Sequence, residues 1–428
     1  MKKGLLLFIT ILTCTLLQAQ SFTSYFTGDP FDVTPTPDFG ICLMGGATEN
    51  DNAMIWFLEK ANGGDILVLR ASGSDGYNDY FFSELGVTVN SVETIVINNA
   101  SGATDPYVLE QIENAEAIWF AGGNQYNYVS YFKDTSVAQL LTDHVVVKGG
   151  VLGGTSAGMA ILGDHYFSAE NGTVTSAQAL QNPYHNRMTI GSQDFIDLPF
   201  LENTITDTHF DSPDRRGRSA AFLARIATDF QVRSFGIASE EFTAVCIEEN
   251  GEARVFGSYP NENDFAYFMQ ANCTEDFVPE NCTAGNSLEW NRDGEAIKVY
   301  KVPGTENGAY TFNLSDWETG SGGDWENWSA VNGVLQTVSG SNPNCSSLGL
   351  EDEIAITVAA YPNPFTEYIQ VDAVMATNYE LYSITGQRVV SGTSNGQKRI
   401  ETNALTSGMY FLELKTNNSV QVFKFIKK

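Results

Sequence analysis

Between Phe39 and Phe256, short runs rich in Val, Ile and Leu alternate with amphipathic segments: FGICLMGG, DNAMIWFLEKA, DILVLRAS, VETIVINN, DPYVLEQIENA, AIWFAGG. Apolar runs bounded by turn residues are the mark of strands covered on both faces, and the segments between them supply the covering helices. The pattern predicts an α/β fold built on a mostly parallel sheet. In such sheets the working residues gather beyond the carboxyl ends of the strands. Gly45-Gly46, Ser72 to Tyr77, Gly122 to Gln125 and Ser156 each follow an expected strand, so they should line one rim.

After about Phe268 the texture shifts to Gly, Asn, Trp and Cys with few helical periods, which reads as a small β-rich appendage over 271–345. Asn342 to Leu350 reads as a linker. Residues 351–428 then alternate apolar and polar (YIQVDAV, YELYSI, QRVVSG, GMYFLELKT, VQVFKFIKK), which predicts a compact β-sandwich of roughly seven short strands.

The first twenty residues have the charged, apolar and small-residue regions of a secretory signal peptide, with removal expected near Ala19 or Gln20. The expected organisation is therefore a signal peptide over 1–20, an α/β domain over 21–270, appendage and linker over 271–350, and a C-terminal domain over 351–428. No other run is long and apolar enough to span a bilayer. With 23 basic and 52 acidic residues the formal charge is −29. Nucleic acid and anionic membranes need a positive face and are disfavoured as partners, while cationic substrates are favoured.

Cys42, Cys246, Cys273, Cys282 and Cys345 follow the signal peptide, an odd number that leaves at least one thiol unpaired. Cys42 and Cys246 sit in strand-like apolar runs and read as buried small hydrophobes. Two of the other three can form a disulfide in an exported chain. No spacing of Cys or His suggests a metal site, and no cofactor is implied.

Gly154-Thr155-Ser156-Ala157-Gly158 is a Gly-x-Ser-x-Gly pentapeptide between an apolar strand and a helix-forming segment. A serine on such a turn is held in a strained, exposed position, and the small neighbours keep flanking chain from blocking it. The helix expected after it would aim N–H groups and its positive end at a developing oxyanion. Ser156 is the candidate nucleophile. Its base must come from His144, His165, His185 or His209. His144 belongs at the far end of the elbow strand, His165 beyond the helix, and His185 in a loop. His209 ends a strand-like approach to the same rim and is the expected base. Asp207, Asp211 and the pair Glu240-Glu241 are candidates for the acid, and Glu241 is preferred because it ends a separate strand and can converge. The order Ser156, His209, Glu241 is not that of the α/β-hydrolases.

With these residues in place, the chain resembles the cyanophycinase and dipeptidase E group of serine peptidases, which have a flavodoxin-like, class I glutamine amidotransferase-like fold. The resemblance spans about residues 39–260 and rests on LMGGATEN, GSDGYNDYF, WFAGGNQ, GGTSAG, DTHFDSPDRRGR and GIASEEFTAV. It implies Ser156, His209 and Glu241 as the catalytic triad and the N–H groups of Gly123 and Ala157 as the oxyanion hole. It also implies Gln125, Asn124, Arg215, Arg216 and Arg218 as substrate-binding residues, Asn124 standing where many members have Asp. The implied substrate is a peptide, with cyanophycin-like, arginine-bearing polymers or aspartyl (iso)peptide bonds as the class. A dipeptidase acting on short aspartyl peptides and an inactive surface binding protein are the rival readings. Oligomeric state is left open, a dimer being compatible.

The C-terminal module resembles the sorting domain of the type IX secretion system of Bacteroidetes. The residues that carry this are Tyr361-Pro362-Asn363-Pro364-Phe365, Glu380 to Ser383, Thr385-Gly386-Gln387, Leu405 to Phe411 and the terminal Lys424 to Lys428. It implies the type IX machinery as a partner and a secreted or surface location.

Overall fold

The computed structural model describes residues 21–273, 276–343, 345, 359–383, 387–415 and 420–428. The expected signal peptide, the end of the linker and Thr385-Gly386 lie outside the described residues. The chain divides into two compact units, one ending at Cys345 and one beginning at Ser346.

The first unit opens with β1 (Phe22–Gly28), β2 (Gly40–Met44), α1 (Asp51–Glu59), β3 (Asp65–Arg70), β4 (Ser91–Ile97), α2 (Pro106–Asn114) and β5 (Ala117–Phe120). It continues through α3 (Gln125–Phe132), α4 (Ser136–Val146), β6 (Val151–Thr155), β7 (His165–Phe167), α5 (Ser176–Gln181), β8 (Ile190–Ser192), β9 (Thr204–Asp207), α6 (Arg216–Phe230) and β10 (Phe235–Ser239). Then come the strands β11 (Ala244–Ile247), β12 (Glu252–Phe256), β13 (Phe265–Ala271), β14 (Ile297–Pro303), β15 (Tyr310–Asn313), β16 (Gly320–Ser321), β17 (Asp324–Val331) and β18 (Val334–Ser339), with a 3-10 turn, Arg292–Gly294, before β14. The helices begin where side chains can take their free N–H groups: Asn50 caps α1, Asp105 caps α2 with Pro106 in the first turn, and Thr135 caps α4.

Ten strands form the first sheet in the order β1-β4-β3-β5-β6-β2-β11-β12-β15-β16, and β4-β3-β5-β6-β2 run parallel at its centre. Period-two alternation decides what each face meets. Ile41, Leu43, Ile118 and Phe120 join one apolar cluster with residues of α2, α3 and α4 and with Ile237 and Phe268 of a second sheet. Cys42, Met44, Ala117 and Trp119 point the other way, onto Met54, Phe57 and Leu58 of α1. The mostly parallel sheet with helices on both faces is thus as expected, but it has a companion. That second sheet has the order β18-β17-β14-β13-β10-β9-β7-β8 and packs its other face on α6.

Residues 271–345 are not an appendage. β14, β17 and β18 extend the second sheet and β15 and β16 extend the first, while Trp290 and Trp328 are fully buried in the cluster under α6. The Gly, Asn and Trp texture belongs to short antiparallel strands and their turns, whose large indoles fill the core. Cys273 and Cys345 form a disulfide across this region, and Cys282 is a buried thiol pushed up to about 11 by burial.

The second unit is antiparallel: β19 (Ala359–Tyr361), β20 (Tyr368–Ser383), β21 (Arg388–Glu401), β22 (Gly408–Lys415) and β23 (Val420–Lys427). Five described strands replace the seven short ones expected, because β20 and β21 each run through two apolar stretches across a register shift between Asp372 and Ala376. Phe365, Ile369, Leu381, Leu412, Leu414 and Phe425 share one core, with β22 burying every second residue, as a sandwich requires.

Candidate active site

β6 ends at Thr155, and Ser156 takes a left-handed conformation, φ +51°. A β-carbon puts such a residue under strain, which here turns the hydroxyl out of the strand line. The turn closes against β5: a Cβ on Gly158 would come within 2.2 Å of the Phe120 carbonyl oxygen. The expected helix after the elbow is absent. A single 3-10 turn, Met159–Ile161, follows instead, and the chain reaches β7 at His165. It must straighten there, because β7 pairs with β8 and β9 in the second sheet. Any oxyanion site therefore rests on individual amides and not on a long helix. Among the described residues no protein acceptor takes the N–H of Ala157, which is 3% exposed, or of Gly123. Gly122, next to Gly123, lies against the Ser156 side chain.

His209 lies two residues beyond β9 and Glu241 two beyond β10, so both come from the second sheet while Ser156 comes from the first. The Ser156 hydroxyl stands 2.8 Å from His209 Nε2, and His209 Nδ1 stands 2.6 Å from Glu241 Oε1. With Nδ1–H donated to the carboxylate, Nε2 is left as the acceptor for the serine proton. The strand stops at Asp207, and the left-handed φ of His209, +46°, swings its ring away from the α6 side toward the first sheet.

Three successive carbonyls, from the last residue of β2 onward, organise this meeting. Met44 O accepts the N–H of Ser156 at 3.1 Å, Gly45 O that of His209 at 2.8 Å, and Gly46 O that of Phe242, next to Glu241, at 3.1 Å. Asp211 Oδ1 accepts the N–H of Glu241 at 3.0 Å, tying the acid loop to the histidine loop. Asp211, weighed in the sequence as the acid, thus holds the backbone of Glu241. The role of Gly45-Gly46 is legible in sequence only as a place on the rim. Gly46 has φ +123°, and a Cβ there would fall 2.4 Å from both Cε1 and Nε2 of His209. Gly46→Ala is expected to displace the imidazole and lower kcat/KM on order of 10²-fold while the protein stays folded, since misplacement by about 1 Å costs that much. Steady-state kinetics beside a melting curve check this, and unchanged kcat/KM would show that the ring tolerates the shift.

The remaining histidines are elsewhere. His144 is buried in α4 with Nε2 3.0 Å from the Val151 carbonyl, and burial pulls it down to about 4, so it is neutral. His165 is buried in β7 with its ring tilted against that of Phe230 at 5.1 Å, and burial lowers its pKa. His185 caps a loop turn by accepting the Arg187 N–H.

The expected substrate-binding residues divide. Asn124 caps α3 by accepting the Tyr126 N–H, and Gln125 Nε2 donates to the Phe167 carbonyl at 3.3 Å, both at the rim. Arg215 is half-buried and braces the histidine loop through the Thr208 carbonyl at 2.8 Å. Arg216 pairs with the exposed Asp214. Arg218 is a correction: 3% exposed, it forms a buried pair with Asp207 and lies over the rings of Phe167 and Phe222. Burial pushes the Asp207 carboxyl up, but the Arg218 guanidinium, with the Ser219 hydroxyl and the Arg215 charge, outweighs it and holds the group below its usual range. Such a pair is satisfied within the protein and offers a substrate nothing.

A cleft of about 800 Å³ opens beside Glu241 and Phe242. Glu49, Asp51, Asp211, Glu262, Asp264 and Glu306 join Glu241 on its walls, with no lysine or arginine among the lining residues. Among the described residues no group of three or more His, Cys, Asp or Glu side chains is disposed to hold a metal ion.

Residues 73–252 match peptidase family S51, and residues 359–428 match the secretion system C-terminal sorting domain. A cyanophycinase of Trichormus variabilis is 26% identical over 178 residues, 41% of this chain and 53% of its own. One of Geminocystis herdmanii is 24% identical over 176 residues, 41% of this chain and 58% of its own. The chain spans about half the length of the curated relatives it matches. A solved peptidase from an acI-B1 Actinobacterium aligns at TM-score 0.39 and 17% identity, over 52% of this chain and 89% of that one. The stretch that carries Ser156, His209 and Glu241 is thus similar to peptidase family S51, and residues 359–428 are similar to the secretion system C-terminal sorting domain.

Proposed function

We propose that the first unit is a secreted serine-type peptidase that cleaves aspartyl or isopeptide bonds, with Ser156 as nucleophile, His209 as base and Glu241 as the group that orients it. The observation that carries this reading is the continuous hydrogen-bond chain of 2.8 and 2.6 Å from the strained Ser156 through His209 to Glu241. His209 takes the Ser156 proton as Oγ attacks the carbonyl carbon, and the N–H groups of Gly123 and Ala157 receive the oxyanion. His209 then protonates the leaving amine, and water, activated by the same imidazole, releases the acyl group. Glu241 stabilises the imidazolium in both halves.

The acidic cleft beside Glu241 favours a substrate that carries cationic side chains, since a one-sign cleft concentrates the opposite charge. An arginine-bearing polymer of the cyanophycin type fits that charge. Asn124, Gln125, Arg215 and Arg216 remain the rim residues proposed to contact it. The second unit acts as the address for type IX export to the surface or medium.

Incubating the protein with cyanophycin, β-aspartyl-arginine and α-aspartyl dipeptides, with products identified by mass spectrometry, tests the reading. Release of β-aspartyl-arginine from the polymer is expected. Cleavage of α-aspartyl dipeptides alone would replace the polymer by short peptides, and no cleavage by folded protein would remove the enzyme reading.

A further inference from the structure

Two thiols that the proposed chemistry does not use face each other in the first sheet. Cys42 on β2 and Cys246 on β11 are register partners in an antiparallel pair, both fully buried, with their Sγ atoms 3.7 Å apart. Antiparallel partners alternate between pairs that exchange backbone hydrogen bonds and pairs that do not. In the second kind the Cα atoms approach to about 4.5 Å and the side chains are closer.

The backbone fixes which kind this is. Ser156 N–H donates to Met44 O, and Gly45 N–H donates to Thr243 O at 2.9 Å. The polar groups of Met44 therefore face β6 and those of Gly45 face β11. Successive strand residues alternate in this respect, so Leu43 faces β11 and Cys42 faces β6. The Cys42 carbonyl oxygen agrees, lying 2.8 Å from where a Cβ on Gly153 of β6 would stand. Cys42 and Cys246 thus occupy a pair without mutual hydrogen bonds, whose Cα spacing of about 4.5 Å falls inside the range a disulfide spans.

We infer that Cys42 and Cys246 are joined by a disulfide in the exported protein, a covalent staple between β2 and β11. The Cys273–Cys345 bridge already requires an oxidising compartment. Both sulfurs are sealed in the finished fold, so the bond forms while the chain folds. One cysteine thiolate attacks a disulfide oxidant and forms a mixed disulfide with it. The second thiolate attacks that cysteine's sulfur, closing the Cys42–Cys246 bond and releasing the oxidant as a dithiol. Two electrons and two protons leave the pair. The staple lies directly under the candidate site. β2 leads into the carbonyls of residues 44 to 46, and β11 begins just after Phe242 and Thr243. It ties the strand that positions Ser156 and His209 to the strand that follows Glu241, independently of what bond the site cleaves.

The test is a peptide map of the full chain folded with glutathione disulfide present, alkylated in denaturant and digested with trypsin without reduction. The peptide ending at Lys60 should be recovered joined to Ser234–Arg254, with Cys282 alkylated. In Cys42→Ser the Ser234–Arg254 peptide should instead appear alone, with Cys246 alkylated. Recovery of the two wild-type peptides separately, each alkylated, overturns the proposal.

Discussion

Ser156→Ala and His209→Ala are each expected to lower kcat on the order of 10⁶-fold on the best substrate of the panel, and the double variant to be no worse than either. The reason is that the two side chains perform one event. Without the imidazole 2.8 Å away the hydroxyl keeps its proton, and without the hydroxyl the imidazole has nothing to activate. Both side chains are replaced by smaller ones at a partly open site, so melting temperatures should hold. His185→Ala should leave turnover unchanged. His144→Ala should also leave turnover per folded molecule unchanged but cost about 1–3 kcal/mol of stability, because the Val151 carbonyl loses its buried partner. Single-turnover kinetics beside denaturation curves separate these outcomes. Substantial activity in His209→Ala would remove the base from the proposal.

Much of this was readable from residue pattern. Continuous apolar runs located β2 to β6, because strands covered on both faces must be apolar throughout, and the amphipathic segments between them located α1 and α2, whereas α4, which holds His144, was not read as a helix. The rim followed from the rule that parallel strands present their carboxyl ends together. Two further features escaped. The second sheet joins the parallel pair β9 and β10 to the antiparallel strands β13, β14, β17 and β18, and local texture cannot say whether Trp290 and Trp328 fill a private core or the one beneath α6. The helix expected after Ser156 depended on helix-forming residues between Ala157 and Leu162. Pairing of His165 to Phe167 with β8 and β9 overrides that preference. In the site itself, its place at a strand end singled out His209 as the proposed base, but Arg218 reads in sequence like its neighbours Arg215 and Arg216. Only the helix register of α6 shows that it turns inward to Asp207. The Gly45-Gly46 turn shows the same limit: its glycines are visible, while the imidazole that excludes a Cβ comes from residue 209 on another sheet.

Glu241→Gln should slow turnover by up to about 10⁴-fold, with Glu240→Gln close to wild type, although the two carboxylates are adjacent. Glu241 Oε1 accepts the Nδ1–H of His209 at 2.6 Å. An amide can keep the ring in place only by offering its oxygen, which carries no charge to stabilise the imidazolium, or its NH₂, which forces the wrong tautomer. Glu240 faces the opposite way, buried, where the Phe265 N–H donates to one oxygen and the Tyr267 hydroxyl to the other. Burial pushes its carboxyl up to about 7 against a starting value of 4.5. The folded state therefore holds this proton more tightly than the unfolded chain. The stability it contributes is complete below about pH 4.5 and is lost as pH rises toward 7. Gln at 240 mimics the protonated form, taking the Phe265 N–H on its oxygen and donating its NH₂ to Tyr267. That variant should lose this pH dependence and melt no lower than wild type above pH 7. Turnover and melting temperature across pH 4 to 8 read both claims at once. Equal loss of turnover in both variants, or loss in Glu240→Gln alone, would mean that the acid had been assigned to the wrong residue of the pair.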